Sequence, residues 1–253
     1  MSTNTNIHAF IYTVQLLLKQ PAQFLPHLTI PTFAHLPEQL GEHLPAIPNT
    51  DTDTSTSNGN GNDNDNDNEP EKQQPKRTIR ALVLDKDNTL SPPKTTHLPT
   101  PILTKLRSLR TSPTSPFNLS TAPSSILIVS NRAGSHPRFD PEVHALETAL
   151  TDLRIPVYRL PEGCRKKPFC GDGVVEWFRE RGVVRDASEI AVVGDRLGTD
   201  VVMAGLMGSW SVWCRDGVVE GKPGNSVLER MERWMERYLR ESRGLRAPLP
   251  RTV

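Results

Sequence analysis

From residue 79 onward the chain repeats one unit: a short, continuous apolar run, a polar stop, then a stretch with helical spacing. The apolar runs Ile79–Leu84, Ser125–Val129, Ile155–Tyr158, Glu189–Val193 and Ser209–Trp213 read as strands. Between and after them, Pro101–Arg110, Asp140–Leu153, Gly171–Arg181, Asp200–Met207 and Asn225–Arg243 read as helices. Strands that are apolar on both faces belong to a parallel sheet covered on both sides. The pattern therefore predicts an α/β fold, a Rossmann-like parallel sheet with helices on both faces. Ligands of such sheets bind beyond the carboxyl ends of the strands, so the residues directly after each strand carry the functional signal.

The first strand runs straight into Asp85-Lys86-Asp87-Asn88-Thr89-Leu90. Two carboxylates two residues apart can face one crevice, and a buried pair needs a cation or a shared proton. Mg²⁺ suits such oxygen ligands. Asp85 can then attack phosphorus, while Asp87 protonates the leaving alcohol and later activates water. The second strand ends in Ser130-Asn131-Arg132-Ala133-Gly134, where a hydroxyl and the amides of the turn can hold phosphate oxygens. The third is followed by Arg165-Lys166-Lys167-Pro168, a source of an ammonium group for the phosphoryl transition state. The fourth ends in Gly194-Asp195-Arg196-Leu197-Gly198-Thr199-Asp200. There Gly194 allows a close turn, and Asp195 can complete a metal's ligand set. Asp200 can orient Lys167 or a metal-bound water, or cap the next helix. Each element alone has a bland reading as an ordinary turn. Four of them, one after each successive strand, predict a phosphate-ester hydrolase.

Upstream of the repeat, residues 1–48 carry Ile7, Phe10, Ile11, Val14, Leu17 and Leu18 on one helical face, stopped by Pro21. A Pro-punctuated apolar arm follows. It reads equally as a membrane-interface segment or as an arm packed on the domain. Residues 49–76 hold Asn, Asp, Thr, Ser and Gly without core side chains and are expected to be a disordered linker. Residues 77–253 form the expected catalytic domain.

The formal net charge of +1 hides an asymmetry, because only two of the 30 basic residues but nine of the 29 acidic ones precede Lys76. The remainder carries +8, which favours an anionic partner. Nucleic acid is not expected, since the cations are scattered and aromatics total 6%. Three cysteines without a CxxC pair argue against a disulfide framework or zinc site. No stretch has the ~18 apolar residues of a membrane span, and neither a secretory signal nor an Arg-rich transit peptide is expected from the N-terminus.

On these motifs the chain resembles the haloacid dehalogenase superfamily of phosphatases over residues 79–215. Asp85-Lys86-Asp87-Asn88-Thr89-Leu90, Lys167-Pro168 and Gly194-Asp195-Arg196-Leu197-Gly198-Thr199-Asp200 look like the mitochondrial phosphatidylglycerophosphatase group within it. The resemblance implies Asp85 as nucleophile, Asp87 as general acid and base, and Lys167 as the phosphoryl-stabilising cation, chosen over Lys166 by its match to Lys-Pro. It implies phosphate binding by Ser130 and Asn131. Mg²⁺ would be held by Asp85, Asp195 and the backbone carbonyl of Asp87, with Thr89, Arg132 and Asp200 in support. It also implies an anionic phospholipid substrate, phosphatidylglycerophosphate, whose product feeds cardiolipin synthesis. The expected location is the matrix face of the inner mitochondrial membrane, reached peripherally, and no obligate protein partner is implied. The intervals 88–130 and 131–166 are too short for a cap domain, so a capless, open crevice is expected. Two other readings stay open: a phosphatase of soluble phosphomonoesters or phosphoproteins, and a non-catalytic membrane scaffold. Asn225–Arg243 can be a surface helix or a second membrane contact.

Overall fold

The computed structural model describes residues 12–46, 78–161, 163–219 and 227–250. The expected linker 49–76, the first part of the N-terminal helix and the first two residues of Asn225–Arg243 lie outside them. Residues 12–19 are helical (α1). The elements that follow are β1 (Leu28–Ile30), β2 (Ala81–Leu84), α2 (Thr100–Thr111), β3 (Ile126–Val129), α3 (Asp140–Ala149) and β4 (Val157–Tyr158). Then come α4 (Gly171–Arg179), β5 (Ile190–Gly194), α5 (Val202–Met207), β6 (Trp210–Cys214) and α6 (Val227–Arg237). The sheet order is β1-β6-β5-β2-β3-β4, and all neighbours are parallel.

Side chains alternate across a strand, and both sets are apolar here. Ala81, Val83, Leu127, Val129, Ile190 and Val192 meet Val174 and Phe178 of α4 and Met203 of α5. Leu82, Leu84, Ile126, Ile128, Ala191 and Val193 meet Leu106 and Leu109 of α2 and Val143 and Leu146 of α3. This is the expected α/β Rossmann-like sheet with helices on both faces. Among the described residues, α3, β4 and two 3₁₀ turns lie between Asn131 and Lys166, and α2 and β3 between Asn88 and Ser130, so neither interval holds a cap.

Helix ends differ from the expectation where the backbone changes pitch. A π-helical turn, Leu197–Val201, precedes α5, and another, Tyr238–Ser242, follows α6. α3 stops at Ala149, and a 3₁₀ turn, Thr151–Leu153, ends with Arg154 in the left-handed region.

The arm is part of this domain. β1 pairs with β6, and Phe33, Leu36, Leu40 and Leu44 are buried in the same cluster as Leu82 and Leu84. A boundary at residue 48 therefore does not follow the packing. Each such buried side chain stabilises by about 1.5–3 kcal/mol, and β1 covers an edge that β6 would otherwise expose. Pro26 and Pro31 bracket the strand and keep it short. His27 pins the arm further. Its Nδ1 accepts from the Ser211 amide at 3.0 Å, and its Nε2 donates to the Pro248 carbonyl at 2.9 Å. Burial pushes its pKa down to about 4, so the ring is neutral.

Arg110 of α2 is buried at the amino end of the sheet. Its guanidinium donates to the carbonyls of Leu153, Phe117, Ala122 and Pro123 at 2.7–3.0 Å and to Ser125 Oγ at 3.3 Å.

Candidate active site

Asp85 is the first residue beyond β2, and its amide still donates to Val193 of β5 at 2.9 Å. The chain then turns back. The amides of Leu90 and Ser91 reach the Lys86 carbonyl, and Asn88 adopts φ +64°. Asn tolerates this region better than most residues. Gly217 leaves the space Asn88 needs, since a Cβ there would lie 2.5 Å from Asn88 Nδ2. Asn88 Nδ2 donates to Asp195 Oδ2 at 2.9 Å. The motif thus supplies a positioning side chain that sequence reasoning passed over.

Lys167 enters from the β4–α4 loop. Its amide donates to Asn131 Oδ1 at 2.9 Å, so that Asn131 oxygen fixes the lysine's loop. Its ammonium donates to Asp85 Oδ1, and to Asp200 Oδ1 at 2.7 Å. Lys166 beside it is exposed. Thr89 Oγ1 donates to Asp85 Oδ2 at 3.4 Å. Asp200 meets the Lys167 ammonium, one of the alternatives expected of it, and is not the N-cap of a helix. Its second oxygen accepts the Arg196 amide at 3.2 Å, at the start of the π-helical turn. Gly194 makes room for it, because a Cβ there would come within 2.3 Å of Asp200 Cγ.

Asp85, Asp195 and Asp200 are all buried, and one oxygen from each lies within 4.8 Å of the others. Burial pushes Asp85 up to about 8 against the pull of Lys167, with Asp200 and Asp195 adding to the rise. Burial and Asp200 push Asp195 up to about 7 against the Asn88 hydrogen bond. For Lys167, burial alone would lower the pKa, and the Asp200 and Asp85 carboxylates reverse the sign and raise it. Three carboxylates facing one ammonium leave a deficit of two positive charges. That deficit and the all-oxygen donors fit a divalent hard cation. The Asp200 carboxylate joins the two expected carboxylate ligands, Asp85 and Asp195, whereas the expectation for Asp87 concerned its backbone carbonyl and not its side chain.

Asp87 instead sits in a ring of charges. Lys86 Nζ donates to Asp87 Oδ1 at 3.0 Å and also to Glu142 Oε1. Arg132 Nη1 donates to Glu142 Oε2 at 2.7 Å, and Arg132 Nε lies 3.9 Å from Asp87 Oδ2. The Lys94 amide donates to Asp87 Oδ1 at 2.8 Å. Two cations therefore draw the Asp87 carboxylate away from the three buried aspartates. Asp87 is half-buried. Glu142 closes the ring from the first turn of α3 and was not singled out from the sequence. An acidic first turn opposite a strand end was the available signal.

Ser130 follows β3 directly and is buried, its Oγ accepting from the Arg132 amide at 3.3 Å. Glu232 of α6 is a further missed residue. It accepts from the amides of Leu197 and Gly198 at 3.0 and 3.3 Å, and burial pushes it up to about 7. It tethers α6 to the Asp195–Asp200 loop.

The profile of the family described as mitochondrial PGP phosphatase matches residues 7–219. A Saccharomyces cerevisiae protein named phosphatidylglycerophosphatase GEP4, mitochondrial, is 31% identical over 92% of this chain and 98% of its own length. A Schizosaccharomyces pombe protein named "Probable phosphatidylglycerophosphatase, mitochondrial" is 29% identical over 90% of this chain and 88% of its own. A solved protein of Listeria monocytogenes serotype 4b, itself uncharacterized, aligns at TM-score 0.36 and 18% identity over 53% of this chain and 78% of that one, too loosely to bear on function. The matched span takes in the arm, β2 with its Asp85 turn, the Lys167 loop and the Asp195–Asp200 loop, and on it the chain belongs to the mitochondrial PGP phosphatase family.

Proposed function

We propose that this protein removes the terminal phosphate of phosphatidylglycerophosphate through a transient acyl phosphate on Asp85, with Mg²⁺ as its metal. The observation that carries the reading is the convergence of Asp85, Lys167, Asp195 and Asp200 in a chain whose relatives bear phosphatidylglycerophosphatase names. An Asp85 oxygen forms a bond to phosphorus as the bond to the glycerol oxygen breaks. Asp87 gives its proton to that oxygen, releasing phosphatidylglycerol. Lys167 and Ser130 hold the phosphoryl oxygens. Asp87, now ionised, takes a proton from water, which attacks phosphorus, frees inorganic phosphate and restores the Asp85 carboxylate. A magnesium ion held by Asp85, Asp195 and Asp200 would neutralise the carboxylates and the incoming phosphate.

The mitochondrial names of both relatives support action in that organelle, and a phospholipid product suits the matrix face of its inner membrane. Attachment would be peripheral, since among the described residues no helix is long and apolar enough to cross a membrane. The test is hydrolysis of phosphatidylglycerophosphate in mixed micelles with Mg²⁺, beside a panel of soluble phosphomonoesters. Asp85→Asn should lower turnover more than about a thousandfold. Turnover that survives this change or chelation of the metal sinks the mechanism. Equal or better turnover of the soluble esters sinks the lipid assignment, a live alternative because the crevice is uncapped.

A further inference from the structure

The outward face of α6 is apolar. Val227, Met231, Trp234 and Tyr238 recur at four-, three- and four-residue steps and share one stripe, and Trp234 and Met231 are 65% and 53% exposed. The Trp234 and Tyr238 rings stack with centroids 5.4 Å apart and planes 6° from parallel. The opposite face, with Glu232 and Met235, is the one turned to the protein. Arg230 and Arg237, both exposed, run along the stripe's flank. α1 adds Leu18, 79% exposed, and Tyr12. It lies beside the end of α6, because Leu16 and Leu17 pack in one cluster with Met235 and Leu239.

This surface borders the crevice. Tyr12 meets the ring of Phe169, two residues beyond Lys167, at a centroid distance of 4.9 Å. Glu232 holds the amides of Leu197 and Gly198, and Arg233 donates to the Arg215 carbonyl at 3.2 Å just beyond β6. Both helices are therefore fastened at the carboxyl end of the sheet, where the aspartates open.

We infer that the α6 stripe, extended by Leu18 and Tyr12 of α1, is the face that docks on an acidic lipid bilayer and turns the crevice toward it. Trp and Tyr favour the headgroup level, and arginines beside them would meet lipid phosphates. A helix of this kind lies in the interface plane. A two-fold dimer through the same stripe would instead bring each copy's arginine row near the other's. The inference deepens the phospholipid-phosphatase reading by naming the surface that delivers the headgroup.

The test uses the full chain and phosphatidylcholine vesicles with about one-third phosphatidylserine, which is neither substrate nor product. Co-sedimentation should show binding that weakens with salt and with pure phosphatidylcholine. The double change Met231→Ser with Trp234→Ser should cut partitioning about tenfold or more. The pair Arg230→Glu with Arg237→Glu should cut it similarly and remove the salt dependence. Hydrolysis of p-nitrophenyl phosphate should stay within about twofold for both. The charge-reversal pair sits wholly on exposed positions, so it decides the matter if the apolar pair folds poorly. Unchanged partitioning of the charge-reversal pair overturns the inference. So does a wild-type dimer, seen without vesicles, that the apolar pair dissociates. A protein that binds these vesicles but leaves phosphatidylglycerophosphate intact keeps the docking face and loses the substrate.

Discussion

Arg110 and Lys167 are cations buried at opposite ends of the parallel sheet, and the two are held by opposite chemistries. At the amino end, Arg110 is wrapped by four carbonyls and a hydroxyl, all neutral, and burial lowers its pKa to about 10. At the carboxyl end, Lys167 lies against Asp85 and Asp200, which raise its pKa. Dipoles satisfy every donor of Arg110 they touch and leave its charge in place, so that cluster can only hold loops together. The carboxylates around Lys167 outnumber it and leave the pocket short of positive charge, which protons or a divalent cation can supply. Burial of a charge is thus common to both, and the sign of what remains separates fastening from chemistry.

The sharpest way to break this contrast is to remove each cation in turn. Lys167→Met should lower turnover about a thousandfold, read in the micelle assay at a fixed folded fraction. Arg110→Met should leave turnover per folded molecule unchanged while costing at least about 3 kcal/mol in urea unfolding, because several buried carbonyls lose their donor. Lost turnover in folded Arg110→Met would erase the distinction. A smaller effect is expected at Glu142, which holds Lys86 and Arg132 beside Asp87. Glu142→Gln should lower kcat about three- to tenfold with little change in KM, and shift the acidic limb of the kcat profile. An unchanged pH profile would reduce the ring to a structural tie.

The smallest effect is on the pH dependence of stability. Asp85 and Asp195 titrate near 8 and 7 in the metal-free fold, against 3.8 unfolded. Between about pH 4 and pH 8 the folded state therefore binds more protons, and metal-free stability falls as pH rises. Mg²⁺ should displace those protons and flatten the fall. His27 works the other way, with a folded pKa of about 4 against 6.5, so it adds stability as pH rises from 4 to 6.5. Melting temperatures at pH 5.5, 7 and 8.5, with chelator and with Mg²⁺, check the sign. A chelated protein that gains stability from pH 7 to 8.5 would contradict it.

The five strands from β2 onward and the aspartates and lysine after them were legible because each apolar run ends abruptly in polar or charged residues. β1 was not. Leu28–Ile30 is three residues long between prolines, and its partner Ser211 lies 184 residues beyond His27, so no local pattern announces the pairing. Asp200 read ambiguously because its two oxygens serve two masters, the Lys167 ammonium and the Arg196 amide. Glu232 was invisible for another reason. It sits in an Arg- and Glu-rich helix that reads as solvated, and only the fold turns it inward.

The pairing of β1 with β6 also sets an order of events. The arm is made first, yet the edge it completes exists only after β6 and the strands between have formed. Phe33 and Leu36 can pack on α2 and β2 earlier, but until then β1 has no strand to pair with, and closing so long a loop is slow. A growing or translocating chain that begins at its amino end carries β1 unpaired through most of its synthesis, an exposed strand of the kind that holdase chaperones shelter.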